Sequence, residues 1–317
     1  MSKKVLITGG NGLVATYLIN QIVKETDWTI EATVRDNLKR LLDATKDLTD
    51  EQADRIIISL NSYQDREFDI IIHLAAATDV GESIENPLKF VEENIVETAK
   101  LLEFARKQTN LHKFIFISSN EVFGPAMYDV NYSELDPLNP YSPYSGTKAA
   151  AEQLCTSYFN TYKMPIDIVR TMNIFGERQT ARRFFPVAIR KILDGEEINI
   201  FDNFRTYIHA EDVADAIMFI IKGEYFYPKY EHVGCHRYHV VGNEEVSNLR
   251  IVKAIGEILG IEPKYKISFD GRAGYEERYS MSGAKMMSMG WKPKETLMRR
   301  IEQMVLWSKD NREWIDG

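Results

Sequence analysis

Residues 4–25 open with an apolar run, Val5-Leu6-Ile7, pass through the glycines of Thr8-Gly-Gly-Asn-Gly12 and continue into Leu13-Val-Ala15. Three successive apolar residues without polar alternation suit a strand buried on both faces. Beyond the glycines, Leu13, Tyr17, Leu18, Ile22 and Val23 recur at helical spacing. A strand, a glycine turn and a helix make the first half of a βαβ unit, so the chain is directed toward a parallel sheet with crossover helices. The same turn suits an anion, because helix N-terminal N–H groups face outward and Gly9 and Gly12 admit close approach, with Ala15 at the helix–strand packing position. Taken alone, the segment also fits an ordinary connection with no ligand.

A second segment, Pro140-Tyr-Ser-Pro-Tyr144-Ser-Gly-Thr-Lys148, places a phenol and an ammonium four residues apart on one helical face. The ammonium is expected to draw the Tyr144 phenol from its usual pKa of about 10 towards neutrality, which equips it to exchange a proton with an alcohol. Taken alone, this pair too is common as a solvated feature. The two segments in this order are not.

Composition narrows the partners. A net charge of −8 without a basic stripe argues against nucleic acid and leaves room for a small anion held by local arginines. Cys155 and Cys235 are too few for a disulfide framework, and the first strand starts too early for a signal peptide. No apolar run reaches the roughly 18–20 residues that span a bilayer. The expectation is a soluble, cytoplasmic protein, with no membrane association and no metal site.

Apolar runs predict strands near 4–8, 29–34, 55–59, 69–74, 113–118 and 166–170, alternating with helices near 13–26, 37–46, 87–107 and 143–162. After residue 173 the pattern is irregular, with helices near 184–194, 211–222, 247–260 and 294–309. The expected fold is α/β: a Rossmann-type doubly wound parallel sheet with a smaller, mixed α/β C-terminal substrate lobe. The dinucleotide-binding domain is expected over 1–173, with 206–243 partly returning to it, and the substrate lobe over 174–205 and 244–317. His73 reads as a packed strand-end histidine rather than a ligand.

Seven ordered segments carry a family resemblance: Thr8-Gly9-x-x-Gly12-x-x-Ala15, His73-Leu-Ala-Ala76, Asn94, Ser118-Ser-Asn-Glu-Val-Phe-Gly124, Tyr144-x-x-x-Lys148, Arg170-x-x-Asn173-x-x-Gly176 and Arg205-Thr-Tyr-Ile-His-Ala-Glu-Asp212. With them the chain resembles the extended short-chain dehydrogenases/reductases that modify nucleotide sugars. Ser119-Asn-Glu-Val-Phe-Gly, Gly271-Arg-Ala-Gly-Tyr-Glu-Glu-Arg-Tyr279 and Val305-Leu-Trp-Ser-Lys-Asp-Asn-Arg-Glu-Trp314 bring it nearest to the nucleoside-diphosphate-hexose 4,6-dehydratases of the dTDP-glucose type.

The resemblance implies a product that is an NDP-4-keto-6-deoxyhexose. It implies that Tyr144 takes the proton of the sugar C4 hydroxyl as hydride leaves C4, with Ser119 on the same oxygen and Lys148 beside it. Glu121 would then remove the C5 proton made acidic by the C4 ketone. Where relatives carry an Asp to protonate the departing C6 hydroxyl, this chain has Asn120, whose amide donates no proton at neutral pH, so Glu121 would serve both transfers. The dinucleotide would lie on Gly9, Asn11, Gly12, Leu13, Val14, Arg35, Leu74, Ala75, Ala76, Tyr144 and Lys148. Val34 then Arg35 after the second strand, where NAD-binding members place an Asp, favours NADP, with NAD through Asp36 as the alternative. Thr78, Asn173, Arg183, Arg205 and Arg272 would contact the substrate, with Arg182 and Arg183 either substrate contacts or a solvated face. Asp212 is expected to cap its helix, and a homodimer is implied through the helices around 87–107 and 143–162. A 4-epimerase, a UDP-glucuronate decarboxylase-like enzyme and a non-catalytic dinucleotide sensor share the scaffold.

Overall fold

The computed structural model describes residues 2–35, 37–60, 63, 66–223, 235–268 and 278–316. Among these, twelve strands form: β1 (Lys4–Thr8), β2 (Thr29–Val34), β3 (Ile56–Leu60), β4 (Ile70–His73), β5 (Lys113–Ser119), β6 (Ile166–Thr171), β7 (Asn173–Phe175), β8 (Ile198–Phe201), β9 (Phe204–His209), β10 (His236–Val240), β11 (Glu245–Ser247) and β12 (Tyr265–Ser268). Seven of them make one parallel sheet in the order β10-β6-β5-β4-β1-β2-β3. Its central strands are buried on both faces, with Val5, Leu6, Ile7, Ile71 and Ile72 all at 0% exposure, which is why they read as unbroken apolar runs rather than alternating ones.

Helices Leu13–Glu25 and Ala210–Lys222 pack together on one face of this sheet. Pro143–Tyr162 and Glu97–Ala105 cover the other, where Leu101, Leu102, Ala151 and Cys155 meet Leu6, Phe114, Phe116 and Ile168. The strand order turns back at β1, which has β2 on one side and β4 on the other. A doubly wound sheet opens a crevice at the carboxyl ends of the strands flanking such a reversal. Thr8 pairs with Thr33 and His73 there, and Ser119 pairs with Thr171 farther along the same edge.

The six strands of the first half fall where the apolar runs predict them, to within a residue or two. The strands after residue 172 are not legible in the pattern, because most are three to five residues long and carry too few side chains to show a period. Of these, β10 joins the large sheet beside β6, while β11-β9-β7 and β12-β8 form small separate sheets. A second core of Phe175, Phe185, Ile189, Ile200, Val246, Ile251, Ile255, Ile301 and Met304 packs those sheets against helices Phe184–Leu193, Asn248–Leu259 and Leu297–Asp310.

The helix expected over 87–107 forms over 87–105, with a π-helical turn inside it. Helix Val80–Glu85 ends at Asn86, whose φ of −131° is not helical, and Pro87 starts a new helix that runs through a π-helical turn, Glu92–Val96, into Glu97–Ala105. The wide turn directs Asn94 inward, where it is 2% exposed.

Gly9 has φ +72°, and a Cβ there would stand 2.9 Å from both the N and Cα of Ala75. Gly9→Ala is therefore expected to lower stability by about 1–3 kcal/mol, checked by thermal denaturation. An unchanged Tm would show that the β1 turn and the residue 74–76 segment are not in this contact.

Candidate active site

Three glycines bring the backbone of the β1 turn close to its neighbours. A Cβ at Gly10 would meet Ala32 Cβ at 2.7 Å, and one at Gly12 would meet the Gly9 carbonyl oxygen at 2.9 Å. The Gly12 N–H donates to that oxygen at 2.8 Å, and Gly12 is the N-cap of Leu13–Glu25, with no side chain bonded to the first helical N–H groups. Leu13 and Val14 form the first turn, and Ala15 is 1% exposed in the helix–sheet contact. Asn11 is held by Arg40, whose Nη1 donates to its carbonyl at 2.6 Å, and its own Oδ1 accepts from Leu41 N at 2.9 Å. Bare N-terminal amides behind a cradle that side chains would fill suit a dinucleotide pyrophosphate.

Behind the cradle runs a chain of buried hydrogen bonds. Ala75 N–H donates to Thr8 Oγ1 (3.3 Å), which bonds His73 Nδ1 (2.7 Å); His73 Nε2 bonds Thr98 Oγ1 (3.0 Å), which donates to the Asn94 carbonyl (2.7 Å). Since the Thr98 proton is committed to Asn94, His73 Nε2 carries a hydrogen and Nδ1 accepts from Thr8. Burial, then the nearby Lys148, lowers the His73 pKa to about 3, so the ring is neutral and packed. Asn94 Oδ1 accepts from Ala77 N at 2.8 Å, while its Nδ2 donates to the Ala77 carbonyl and to Thr147 Oγ1, both at 3.0 Å. One asparagine thus pins the segment beyond Leu74, Ala75 and Ala76 to the residue before Lys148.

Ser119 ends β5, and its hydroxyl accepts from Glu121 N at 3.2 Å, starting the 3-10 turn Asn120–Phe123. The same hydroxyl lies near enough to the Tyr144 phenol to lower its pKa. Tyr144 rises from the first turn of Pro143–Tyr162, whose N-cap Ser142 forms a reciprocal capping box with Ser145. The structure therefore brings Ser119, Asn120, Glu121 and Tyr144 together at the crevice. It does not acidify the phenol. Tyr144 is 7% exposed, and burial followed by the charge of Glu121 raises its pKa, against smaller lowering by Ser119 and Arg183. Lys148 donates instead to the Ile117 carbonyl at 2.6 Å and lies 4.2 Å from the centre of the Phe116 ring. Its own pKa is pulled down to about 8 by burial. The expectation of a phenol near neutrality fails for the protein alone because desolvation outweighs a neighbouring ammonium that is turned towards the sheet.

Burial pushes the Glu121 carboxyl up to about 7, with Arg205 and then Arg183 drawing it back. Asn120 is 4% exposed, and its Nδ2, like Ser118 Oγ, is buried without a hydrogen-bond partner. Such orphaned groups at the rim of a crevice fit a bound polar molecule.

Arg183 donates to Thr78 Oγ1 at 3.1 Å, while Arg182 lies 3.8 Å from Asp79. Arg205 is 6% exposed, 5.4 Å from the Tyr279 ring centre, and Asn173 Nδ2 donates to the Thr206 carbonyl at 3.2 Å. Arg35 pairs with Glu93 at 3.0 Å. Asp212 does not cap its helix: His209 does, accepting from Glu211 N at 3.3 Å, and Asp212 is instead buried against Arg300 at 2.9 and 3.1 Å. Arg272, with most of its 271–279 motif, Asp36 and Asn61 lie outside the described residues. Sequence reading missed the roles of Arg40 and Thr98, which carry no motif of their own, and of Thr8 and Thr147, which it quoted only as members of a motif. It also passed over Glu152, for which the spacing of four from Lys148 was a usable signal.

The dTDP-glucose 4,6-dehydratase of Salmonella typhimurium is 31% identical over 99% of this chain and 95% of its own length. A low-salt glycan biosynthesis protein of Haloferax volcanii is 29% identical over 95% and 97%. In fold, the chain superposes on dTDP-glucose 4,6-dehydratase of Streptomyces venezuelae, solved with NAD and TYD bound, with TM-score 0.85 at 23% identity over 98% of both chains. It superposes equally on a UDP-glucuronic acid 4-epimerase of Bacillus cereus, solved with NAD, with TM-score 0.86 at 22% identity over 97% and 99%. No helix among the described residues is long and apolar enough to cross a membrane. The model of the NAD dependent epimerase/dehydratase family matches residues 5–233, and with the seven-stranded sheet, the glycine cradle and the Ser119–Tyr144 pair in place, the chain belongs to that family of enzymes.

Proposed function

We propose that the protein is a nucleoside-diphosphate-hexose 4,6-dehydratase that makes an NDP-4-keto-6-deoxyhexose. The observation that carries this reading is Glu121, whose N–H donates to Ser119 Oγ and whose carboxyl, brought to about 7 by burial, lies near enough to Tyr144 to raise the phenol. Interconversion at C4 alone needs no further base, whereas dehydration needs one that is both a competent base and a competent acid near neutral pH. A bound nicotinamide dinucleotide supplies the hydride acceptor at sugar C4 and the donor at C6. Tyr144 would take the C4 hydroxyl proton only after giving up its own to become the phenolate, a form that positive charge from Lys148 on the same helix and from an oxidised nicotinamide would favour, with Ser119 on the same substrate oxygen. Once C4 is a ketone, Glu121 removes the C5 proton and then delivers a proton to the departing C6 hydroxyl. Asn120 cannot make that delivery, but its orphaned Nδ2 is a hydrogen-bond donor suited to the C6 oxygen.

Arg205 and Arg183 are the cations that act on Glu121, which puts them within reach of an anionic substrate. With Asn173, Thr78 and Arg272 they form the proposed substrate contacts, on a lobe comprising 174–205 and 244–317. For the dinucleotide, β2 ends at Val34 with Arg35 following, a cation that suits a ribose 2′-phosphate, so NADP is the favoured form and NAD the alternative. The structures of relatives cited above carry NAD in theirs. A homodimer is proposed through the helices around 87–107 and 143–162, where Leu88 is 80% exposed and Val91 39%. A second reading, 4-epimerase, draws support from Asn120, since an amide in place of an acid suits an enzyme that never expels water.

Incubation with UDP-, dTDP-, GDP- and CDP-hexoses separates the two. Dehydration yields a product lighter by one water, and a C4 epimer of unchanged mass would establish the second reading instead. Glu121→Gln is expected to reduce dehydration by about 10²–10⁴-fold. In the wild type, turnover should rise as pH passes upward through about 7, because the carboxylate is the base. Stability moves the other way. A carboxyl whose folded pKa is raised contributes stability below its unfolded pKa of about 4.5, and this is lost as pH rises through about 7. Glu121→Gln should therefore raise stability at pH 8 by about 1–3 kcal/mol while lowering turnover, and a Tm unchanged at pH 8 would contradict the burial of this charge.

Direct titration tests the dinucleotide. Tighter binding of NADP than of NAD is expected, and Arg35→Ala should weaken NADP by about 10- to 100-fold with little effect on NAD. Equal loss for both would place Arg35 away from the 2′ position.

A further inference from the structure

One buried acid beside the site has no part in the chemistry above. Glu152 stands one helical turn beyond Lys148 on Pro143–Tyr162 and is 0% exposed, while Lys148 is 3% exposed. Its two oxygens accept from Arg170 Nε at 2.9 Å and Nη2 at 2.7 Å, a bidentate pair in which the guanidinium is also buried. Arg170 is itself over-determined: Nη1 donates to His239 Nε2 at 3.2 Å and to the Glu134 carbonyl at 3.3 Å, and the guanidinium carbon lies 4.6 Å from the centre of the Phe123 ring, in the turn that begins with Asn120-Glu121.

We propose that Glu152, clamped by Arg170, is a positioning residue that keeps Lys148 charged and seated on the Ile117 carbonyl next to Tyr144. An ammonium sealed from water loses its proton readily unless an anion stands near. The groups facing Lys148 leave Glu152 as that anion. From β4 comes neutral His73, and from β5 the Ile117 carbonyl and the Phe116 ring. On its own helix stand Tyr144 and Cys155, both of raised pKa and so protonated. Cys235, whose thiol is also raised, and Arg170 both interact with Glu152. Arg170 fixes the carboxylate in place by donating to both of its oxygens.

This inference rests on the catalytic reading only for its consequence, so the test reads Lys148 directly. In protein labelled with ¹³C-lysine, the Lys148 Cε resonance, identified by its loss in Lys148→Arg, is followed against pH by NMR. The wild-type midpoint is expected near 8, and in Glu152→Gln it should fall by about one unit or more. The double variant Glu152→Gln/Arg170→Met, which leaves no unpaired guanidinium, should fall alike, and Glu152→Asp should restore the midpoint. The alkaline limb of turnover should move down with it. A midpoint unmoved in both Gln-bearing variants, whatever happens to activity, would reduce Glu152 to a structural brace and overturn the proposal. A moved midpoint in a protein that dehydrates no nucleotide hexose would leave this inference standing and remove the dehydratase reading.

Discussion

Tyr144, Lys148 and Glu152 rise at successive turns of one helix, and all three are buried, at 7, 3 and 0% exposure, against the carboxyl ends of β5 and β6. Loss of water is the constraint under which everything nearby is arranged. It drives the phenol and the Glu121 carboxyl up and the ammonium and His73 down. The groups that would bear charge in a proton transfer are thus all brought towards their neutral forms. Buried ionic groups persist only with partners in good geometry, and the Arg170–Glu152 pair, closed by two hydrogen bonds and stacked on Phe123, is the fully satisfied case beside them.

The sheet order explains how residues so far apart in the chain meet. Because the strand order turns back at β1, the Gly9–Gly12 turn, the segment after His73 and the end of β5 open on the same edge. Asn94 fastens these pieces, since its carbonyl receives the chain that starts at Ala75 and its amide joins Ala77 to Thr147. A single π-helical turn makes that reach possible. The rigidity of the crevice is therefore a matter of buried hydrogen bonds rather than of apolar packing alone.

Much of this was legible in the chain. The six strands of the first half, the glycine turn, the packed His73 and the convergence of Ser119, Glu121 and Tyr144 all follow from apolar runs, motif spacing and a family resemblance. The illegible parts have physical reasons. Asp212 sits where a cap would, but His209 precedes it and reaches the free N–H first, leaving the carboxylate to Arg300. The helix expected over 87–107 forms from Pro87 to Ala105, but the π-helical turn inside it, Glu92–Val96, has no signature in composition. Arg40 holds Asn11 through a carbonyl, a contact to which any backbone is eligible.

By itself the sequence determined the parallel α/β architecture, because apolar periodicity and glycine placement act locally along the chain. Only the tertiary structure decided the charge each group carries. The pKa of Tyr144 was expected to fall through the neighbour four residues away, yet it rises, since desolvation depends on every element packed around a side chain and not on the one beside it in sequence.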